Sequence, residues 1–179
     1  PSVLCITAVE RGLALAGVPE DGPALNALIA KVAPASGSHQ EAVIAFPQDT
    51  TLALGTTVKR KAFVSLRGEG SHIKVLPALN AGPVFTNATT EGFARSDLTG
   101  FTIDKNELEG TLFDCHSMQY SRIDVKRMLC GAQTCTNLLL KCDSTVGVGG
   151  ELKSNTVHND IAIIDYGPFV SAPVLPGPS

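Results

Sequence analysis

Short apolar segments recur along this chain at a spacing that few folds accept. One set reads Pro83-Val84-Phe85-Thr86-Asn87, Thr111-Leu112-Phe113-Asp114-Cys115, Leu138-Leu139-Leu140-Lys141-Cys142 and Ala162-Ile163-Ile164-Asp165-Tyr166. With Phe85, Phe113, Leu140 and Ile164 taken as equivalent, the steps are 28, 27 and 24 residues. A second set interleaves with it: Phe101-Thr102-Ile103, Ile123-Asp124-Val125 and Asn155-Thr156-Val157, with steps of 22 and 32. Two strands per turn of chain, repeating every two or three dozen residues, predict an all-β solenoid whose strands stack in parallel.

Composition narrows the classes that fit. Of 179 residues, 44% are hydrophobic and 17% charged, which suits a packed domain and not a disordered chain. The net charge of −3 argues against a general nucleic-acid binder, which carries a basic excess. No apolar run is long enough to span a membrane, and no basic-then-apolar leader precedes the repeats. Pro1-Ser2 is the remnant expected at a natural N-terminus once Met is removed, and equally at a cut boundary. Aromatic residues make up 5%, with no Trp, so few faces are available for stacking sugars. Five cysteines without framework spacing read as reduced thiols.

Ahead of the repeats, Ser2 to Val9 reads as a short apolar strand. Asp21 stands where an N-cap would accept from orphan helix N–H groups, and Pro23 suits a first turn. Leu25, Leu28, Ile29 and Val32 then share one face, predicting an amphipathic helix over residues 22–33. Ala42 to Phe46 is a buried strand stopped by Pro47, and short strands follow at Thr51–Leu54 and Thr56–Val58. Arg67-Gly68-Glu69-Gly70-Ser71 reads as a tight corner. A phosphate loop would need Gly-Lys-Ser/Thr opening a helix, which is missing here.

The helix pattern Ala24-Leu25-x-x-Leu28-Ile29, then Val43-Ile44-Ala45-Phe46-Pro47, then Val64-Ser65-Leu66-Arg67-Gly68-Glu69-Gly70-Ser71-His72-Ile73-Lys74-Val75, resembles the N-terminal part of the pectate-lyase-like, right-handed parallel β-helix superfamily. Within it the sequence is most similar to bacteriophage tailspikes and other virion appendages. A Gly-Asp-Gly-x-x-Asp-Asp loop is usual before that helix, and Gly17-Val18-Pro19-Glu20-Asp21-Gly22 is a thinned form of it. The resemblance runs from Val18 to about Asp165. It implies a right-handed single-stranded parallel β-helix with a short capping helix and an extended, Pro-rich C-terminal arm. The corresponding segments are 1–41, 42–167 and 168–179.

Stacking makes columns. If Phe85, Phe113, Leu140 and Ile164 point inward, Asn87, Cys115, Cys142 and Tyr166 do too, with Cys115 and Cys142 as neighbouring buried thiols. Parallel neighbours hold their Cβ atoms wider than a disulfide prefers, so no bridge is expected. Cys130 and Cys135 flank a turn and read as structural. Thr102, Asp124 and Thr156 would form one outward column, and Asp104, Lys126 and His158 a second, with an Asp104–Lys126 ion pair. These are also the catalytic candidates: Asp104, Asp124, Lys126, His158 and, beside them, Arg127. A glycosidase needs paired carboxylates, and a lyase needs a base plus something to neutralise a uronate. Nothing in the sequence gathers these charges into a cluster, so a solvated face is the plainer reading. His39, His72 and His116 each stand alone. No cofactor and no metal site is expected.

The expected function is therefore structural: a homotrimeric virion protein, assembled in the host cytoplasm, serving as a tail appendage or a capsid decoration. The apolar residues Phe169, Val170, Val174 and Leu175 of the tail would lie on a neighbouring subunit. Other virion proteins are the expected partners, a host-surface polysaccharide is a further one, and neither nucleic acid nor membrane is expected. The alternative is a polysaccharide lyase or glycoside hydrolase.

Overall fold

Residues Ala42–Phe46 and Val64–Gly68 alternate buried side chains with half-buried or exposed ones, the period-two pattern of strands packed on one face. The structure, a computed structural model, describes residues 3–35, 38–80, 82–87, 93–104, 110–116, 118–129, 135–141 and 160–163. In chain order the strands are β1 (Leu4–Thr7), β2 (Ala42–Phe46), β3 (Thr51–Leu54), β4 (Val58–Lys59), β5 (Val64–Gly68), β6 (His72–Val75) and β7 (Phe85–Thr86). They continue with β8 (Phe93–Ala94), β9 (Leu98–Asp104), β10 (Gly110–His116), β11 (Met118–Gln119), β12 (Arg122–Leu129), β13 (Cys135–Lys141) and β14 (Asp160–Ile163). Helix α1 spans Gly22–Val32. Every pairing among the described strands is parallel.

The right-handed single-stranded β-helix that the family resemblance implies is not what these strands form. They make an eight-stranded parallel sheet that curls as a half-barrel, beside a four-stranded sheet (β13-β10-β7-β4) and a two-stranded one (β11-β8). The departure lies at β9. Leu98 and Thr99 pair with β5, while Thr102, Ile103 and Asp104 pair with β6, so two faces that a solenoid would keep apart run together. Parallel strands hiding every second residue read alike in sequence whether their faces stay separate or merge. The proposed arm, 168–179, lies outside the described residues.

The inward column is as expected at Phe85, Phe113, Asn87 and Cys115, all buried. Phe85 lies over Phe113, their rings stacked 5.1 Å apart. The next pairing is two residues away from the expected one: Phe113 pairs with Leu138 and Cys115 with Leu140. Cys115 and Cys142 are therefore not register partners, and Cys142 and Cys130 lie outside the described residues. The last strand changes sheets. Ile161 and Ala162 pair with Ile123 and Asp124 of β12, the place the sequence reading gave to Asn155 and Thr156.

Two bulges shift the second strand set. Asp124 pairs with Thr99, Val125 with Phe101 and Arg127 with Thr102, leaving Gly100 as the extra residue on β9 and Lys126 as the extra one on β12. Gly100 has φ +77°, and a Cβ there would meet the Gly68 carbonyl oxygen at 3.0 Å, so glycine is required. Asp104 consequently pairs with Leu129 and Lys74, not with Lys126, and the expected Asp104–Lys126 pairing is absent from the register.

The N-terminal segment covers the first edges. β1 pairs with β2. Residues 15–21 follow β3 through Gly17 N–H to Thr51 O at 2.9 Å, Thr51 N–H to Leu15 O at 2.9 Å and Asp21 N–H to Ala53 O at 2.8 Å. Helix α1 lies along β4, where the Asn26 side chain accepts from Lys59 N–H (2.8 Å) and donates to Thr57 O (2.9 Å). Leu25, Leu28 and Ile29 are buried, as their spacing predicts. Asp21 is not the side-chain cap expected. Its carboxylate turns away from the helix and accepts from Ala14 N–H (2.7 Å), Leu15 N–H (3.3 Å) and Ala53 N–H (3.1 Å), pinning the N-terminal segment to β3.

One buried cation sits among the described core residues. Arg60, 3% exposed, donates through Nη2 to the carbonyl and hydroxyl of Ser96, and Nη1 lies 4.0 Å from Cys115 Sγ. Burial pulls the Arg60 pKa down, against the opposing pull of Cys115 and Asp97. Burial likewise pushes the Cys115 thiol up, with Arg60 pulling it back.

Candidate functional site

The main sheet turns every second side chain outward, and across β2, β5, β9 and β12 these side chains line a groove of about 530 Å³. The turns into β5, β9 and β12 are built alike. Phe63, Arg95 and Tyr120 each adopt positive φ (62°, 50° and 46°) just before the sheet begins. Val64, Ser96 and Ser121 then point inward, all buried. Ser96 Oγ donates to Val64 O at 2.7 Å, and Ser96 N–H donates to Ser121 Oγ at 3.1 Å, so consecutive strands are fixed at their entry.

One residue further, the side chains face out. Ser65 Oγ accepts from Asp97 N–H at 3.0 Å, and Asp97 Oδ1 accepts from Arg122 N–H at 2.8 Å. The next outward row is Arg67, Thr99 and Asp124, set by the pairings Arg67 with Thr99 and Thr99 with Asp124. Arg122 Nη2 donates to Asp124 Oδ2 at 2.5 Å. Glu41 at the groove's rim pairs with Arg95 at 3.3 Å. Glu69 projects from the turn after β5. Among the described residues of the lining, four carboxylates thus face two guanidinium groups, and no aromatic side chain is present.

Of the residues singled out by sequence, Asp124 alone is in this lining. Asp104 lies at the far end of β9, about five residues along the strands from Asp124, or roughly 16 Å. That exceeds the span of about 5–9.5 Å over which two carboxyl groups act on one glycosidic bond. Lys126 is the bulge residue of β12, Arg127 pairs with Thr102, and His158 lies outside the described residues. His72 is exposed on β6, opposite Thr102, and His39 meets Phe63 edge-on at 5.2 Å. Among the described residues, no three His, Cys, Asp or Glu side chains are placed to hold a metal ion.

The other charged groove residues, Glu41, Arg67, Glu69, Asp97 and Arg122, are not among the candidates that the sequence offers. The signal for Asp97 was present: Arg95-Ser96-Asp97-Leu98 and Tyr120-Ser121-Arg122-Ile123 repeat a small polar residue, a charge and an aliphatic at a step of 25. Asp97 and Asp124 stand diagonally on neighbouring strands, about 8 Å apart at Cα. Arg122 holds both, one through its backbone and the other through its side chain.

No protein family matches the chain, and no curated protein matches it. Among solved structures, ORF18 of Geobacillus virus E2 is similar, with a TM-score of 0.60 and 18% identity over 70% of this chain. The chain spans 28% of that protein's length. At this identity the likeness concerns the fold. The expected kinship with pectate-lyase-like enzymes and tailspikes gains no support, and what stands is a fold shared with a phage protein.

Proposed function

We propose that this chain is a structural protein of a bacteriophage particle, with the outer groove of its main sheet as an attachment surface. The observation that carries the reading is the fold shared with ORF18 of Geobacillus virus E2, where the matching part is a fraction of a longer polypeptide. A module set in a longer phage protein suits a particle component that presents one surface. In this reading the chain assembles as a homotrimer in the host cytoplasm and meets other virion proteins, and a host-surface polysaccharide is the target. Immunogold labelling of purified particles from a phage encoding this chain tests it. Label at one fixed position on the particle is the expected result. Chain abundant in the lysate but absent from purified particles would refute it. Light scattering of the purified protein is expected to give three times the chain mass.

The spacing of Asp97 and Asp124 favours one second reading. Both side chains turn into the groove from neighbouring strands, with Cα atoms about 8 Å apart, the arrangement of a carboxylate pair such as an inverting glycoside hydrolase uses, in which one carboxyl protonates the leaving oxygen and the other activates water. Against it, Arg122 occupies an oxygen of each carboxylate. Incubation with capsular and pectic polysaccharides, read as new reducing ends without unsaturated uronates, decides between them. Turnover abolished by Asp97→Ala and by Asp124→Ala would establish the hydrolase.

A further inference from the structure

Most charges of the groove are already engaged. Asp97 accepts from Arg122 N–H, Asp124 holds the Arg122 guanidinium, and Glu41 holds Arg95. Two charges remain. The Arg67 and Glu69 side chains make no hydrogen bond or ion pair with another described residue, although both line the groove. They stand two residues apart, roughly 6–7 Å along the chain, on the same side of the sheet. Between them Gly68 faces inward against the Phe101 ring, which fixes the outward direction of its neighbours. The turn carrying Glu69 is held down as well. Gly70 N–H donates to Gly100 O at 2.9 Å, Ser71 N–H to Gly68 O at 3.0 Å, and Ser71 Oγ to Pro47 O at 2.9 Å. Two exposed side chains of opposite charge, side by side in a groove of about 530 Å³, have no partner among the described residues.

We propose that Arg67 and Glu69 bind a zwitterionic saccharide, one that carries a carboxylate or phosphate and an ammonium group on the same or adjacent sugar units. A polyanion would meet Arg67 favourably but be repelled by Glu69, Asp97 and the rest of a lining with four carboxylates against two guanidinium groups. A polycation would be drawn to these carboxylates but repelled at Arg67 and Arg122. A ligand bearing both signs makes a charge-assisted hydrogen bond at each end and adds no net charge. Beside them on the neighbouring strand are Thr99, the register partner of Arg67, and Gly100, small enough to let a sugar approach the backbone. The inference rests on the attachment reading, since it names what that surface would hold.

Calorimetric titration of the full chain with oligosaccharides of one length tests it. The probes are N-deacetylated hyaluronan (carboxylate and ammonium alternating), intact hyaluronan (carboxylate only) and chitosan (ammonium only), with free glycine as a small zwitterion. Binding of the N-deacetylated polymer should be about 10-fold or more tighter than of either single-sign polymer, and Arg67→Ala and Glu69→Ala should each weaken it by a similar factor. The exchanged pair, Arg67→Glu with Glu69→Arg, should recover most of the affinity, which a merely folded scaffold would not explain. Equal binding of intact hyaluronan with no effect of Glu69→Ala would overturn the proposal, as would no binding of the N-deacetylated polymer at millimolar concentration. If glycine displaces the polymer at matching concentration, the charge pair stands and the attachment reading falls.

Discussion

Asp21 gives the sharpest test of how the N-terminal segment is fastened. Its side chain is 1% exposed and accepts from three backbone N–H groups, two of them, on Leu15 and Ala53, buried. Asp21→Ala leaves both buried donors without an acceptor, at about 1–3 kcal/mol each, while Ala14 can turn to water. Since such terms do not add fully, the expected loss is roughly 3–5 kcal/mol, or a fall in Tm of roughly 6–20 °C for a domain of this size. A plain helix cap would cost only about 0.5–2 kcal/mol, and serine would restore it. Serine at position 21 keeps the cap chemistry but cannot reach three separated donors. Asp21→Ser should therefore unfold nearly as easily as Asp21→Ala, and Asp21→Asn should lie between these and the parent. Urea unfolding followed by circular dichroism measures all three. Serine within about 1 kcal/mol of the parent would refute the clamp and reinstate the cap.

Other outcomes follow from the same packing. A Cβ at Gly68 would lie 2.2 Å from the buried Phe101 ring, so Gly68→Ala should destabilise by about 1–3 kcal/mol, and Phe101→Leu in the same chain should relieve part of that loss in a double-mutant cycle. Arg60→Ala should cost more stability than Arg60→Met, because methionine fills the space without a charge to desolvate, and thermal melts compare them. Peptide mapping after brief alkylation of the folded protein should find exposed Cys5 labelled and Cys115 protected. The raised Cys115 thiol pKa has a linked effect. Its contribution is complete below the unfolded thiol's pKa and shrinks above roughly pH 8.5–9, where the unfolded chain ionises first. Cys115→Ala should flatten that alkaline decline in a pH series of melts.

The sequence carried the local facts well. Alternation placed Phe85, Phe113, Asn87 and Cys115 inside, and helical spacing placed Leu25, Leu28 and Ile29 on one buried face. Register was less legible, for a physical reason. A slip of two residues keeps every side chain on its own face, so Leu138 and Leu140 serve equally well above Phe113 until the pairing itself is known. Bulges hide in the same way, since nothing marks Gly100 and Lys126 as the extra residues that carry Asp124 from Thr102 to Thr99. The candidate site suffered from that shift. Asp104 and Lys126 looked like partners of one outward column, whereas the groove is made by Asp97, Arg122 and Asp124 with Arg67 and Glu69. Asp21 shows a further limit, because a carboxylate ahead of a helix reads as a cap whichever backbone it reaches for.

The groove exists only if β9 and β12 pair as stated. Cross-strand nuclear Overhauser contacts of the Asp124 backbone in the isotope-labelled protein measure that pairing directly. Contacts to Thr99, with Ile123 against Leu98, are the expected result. Contacts to Thr102 instead would move Asp124 out of the groove and remove the attachment surface with it.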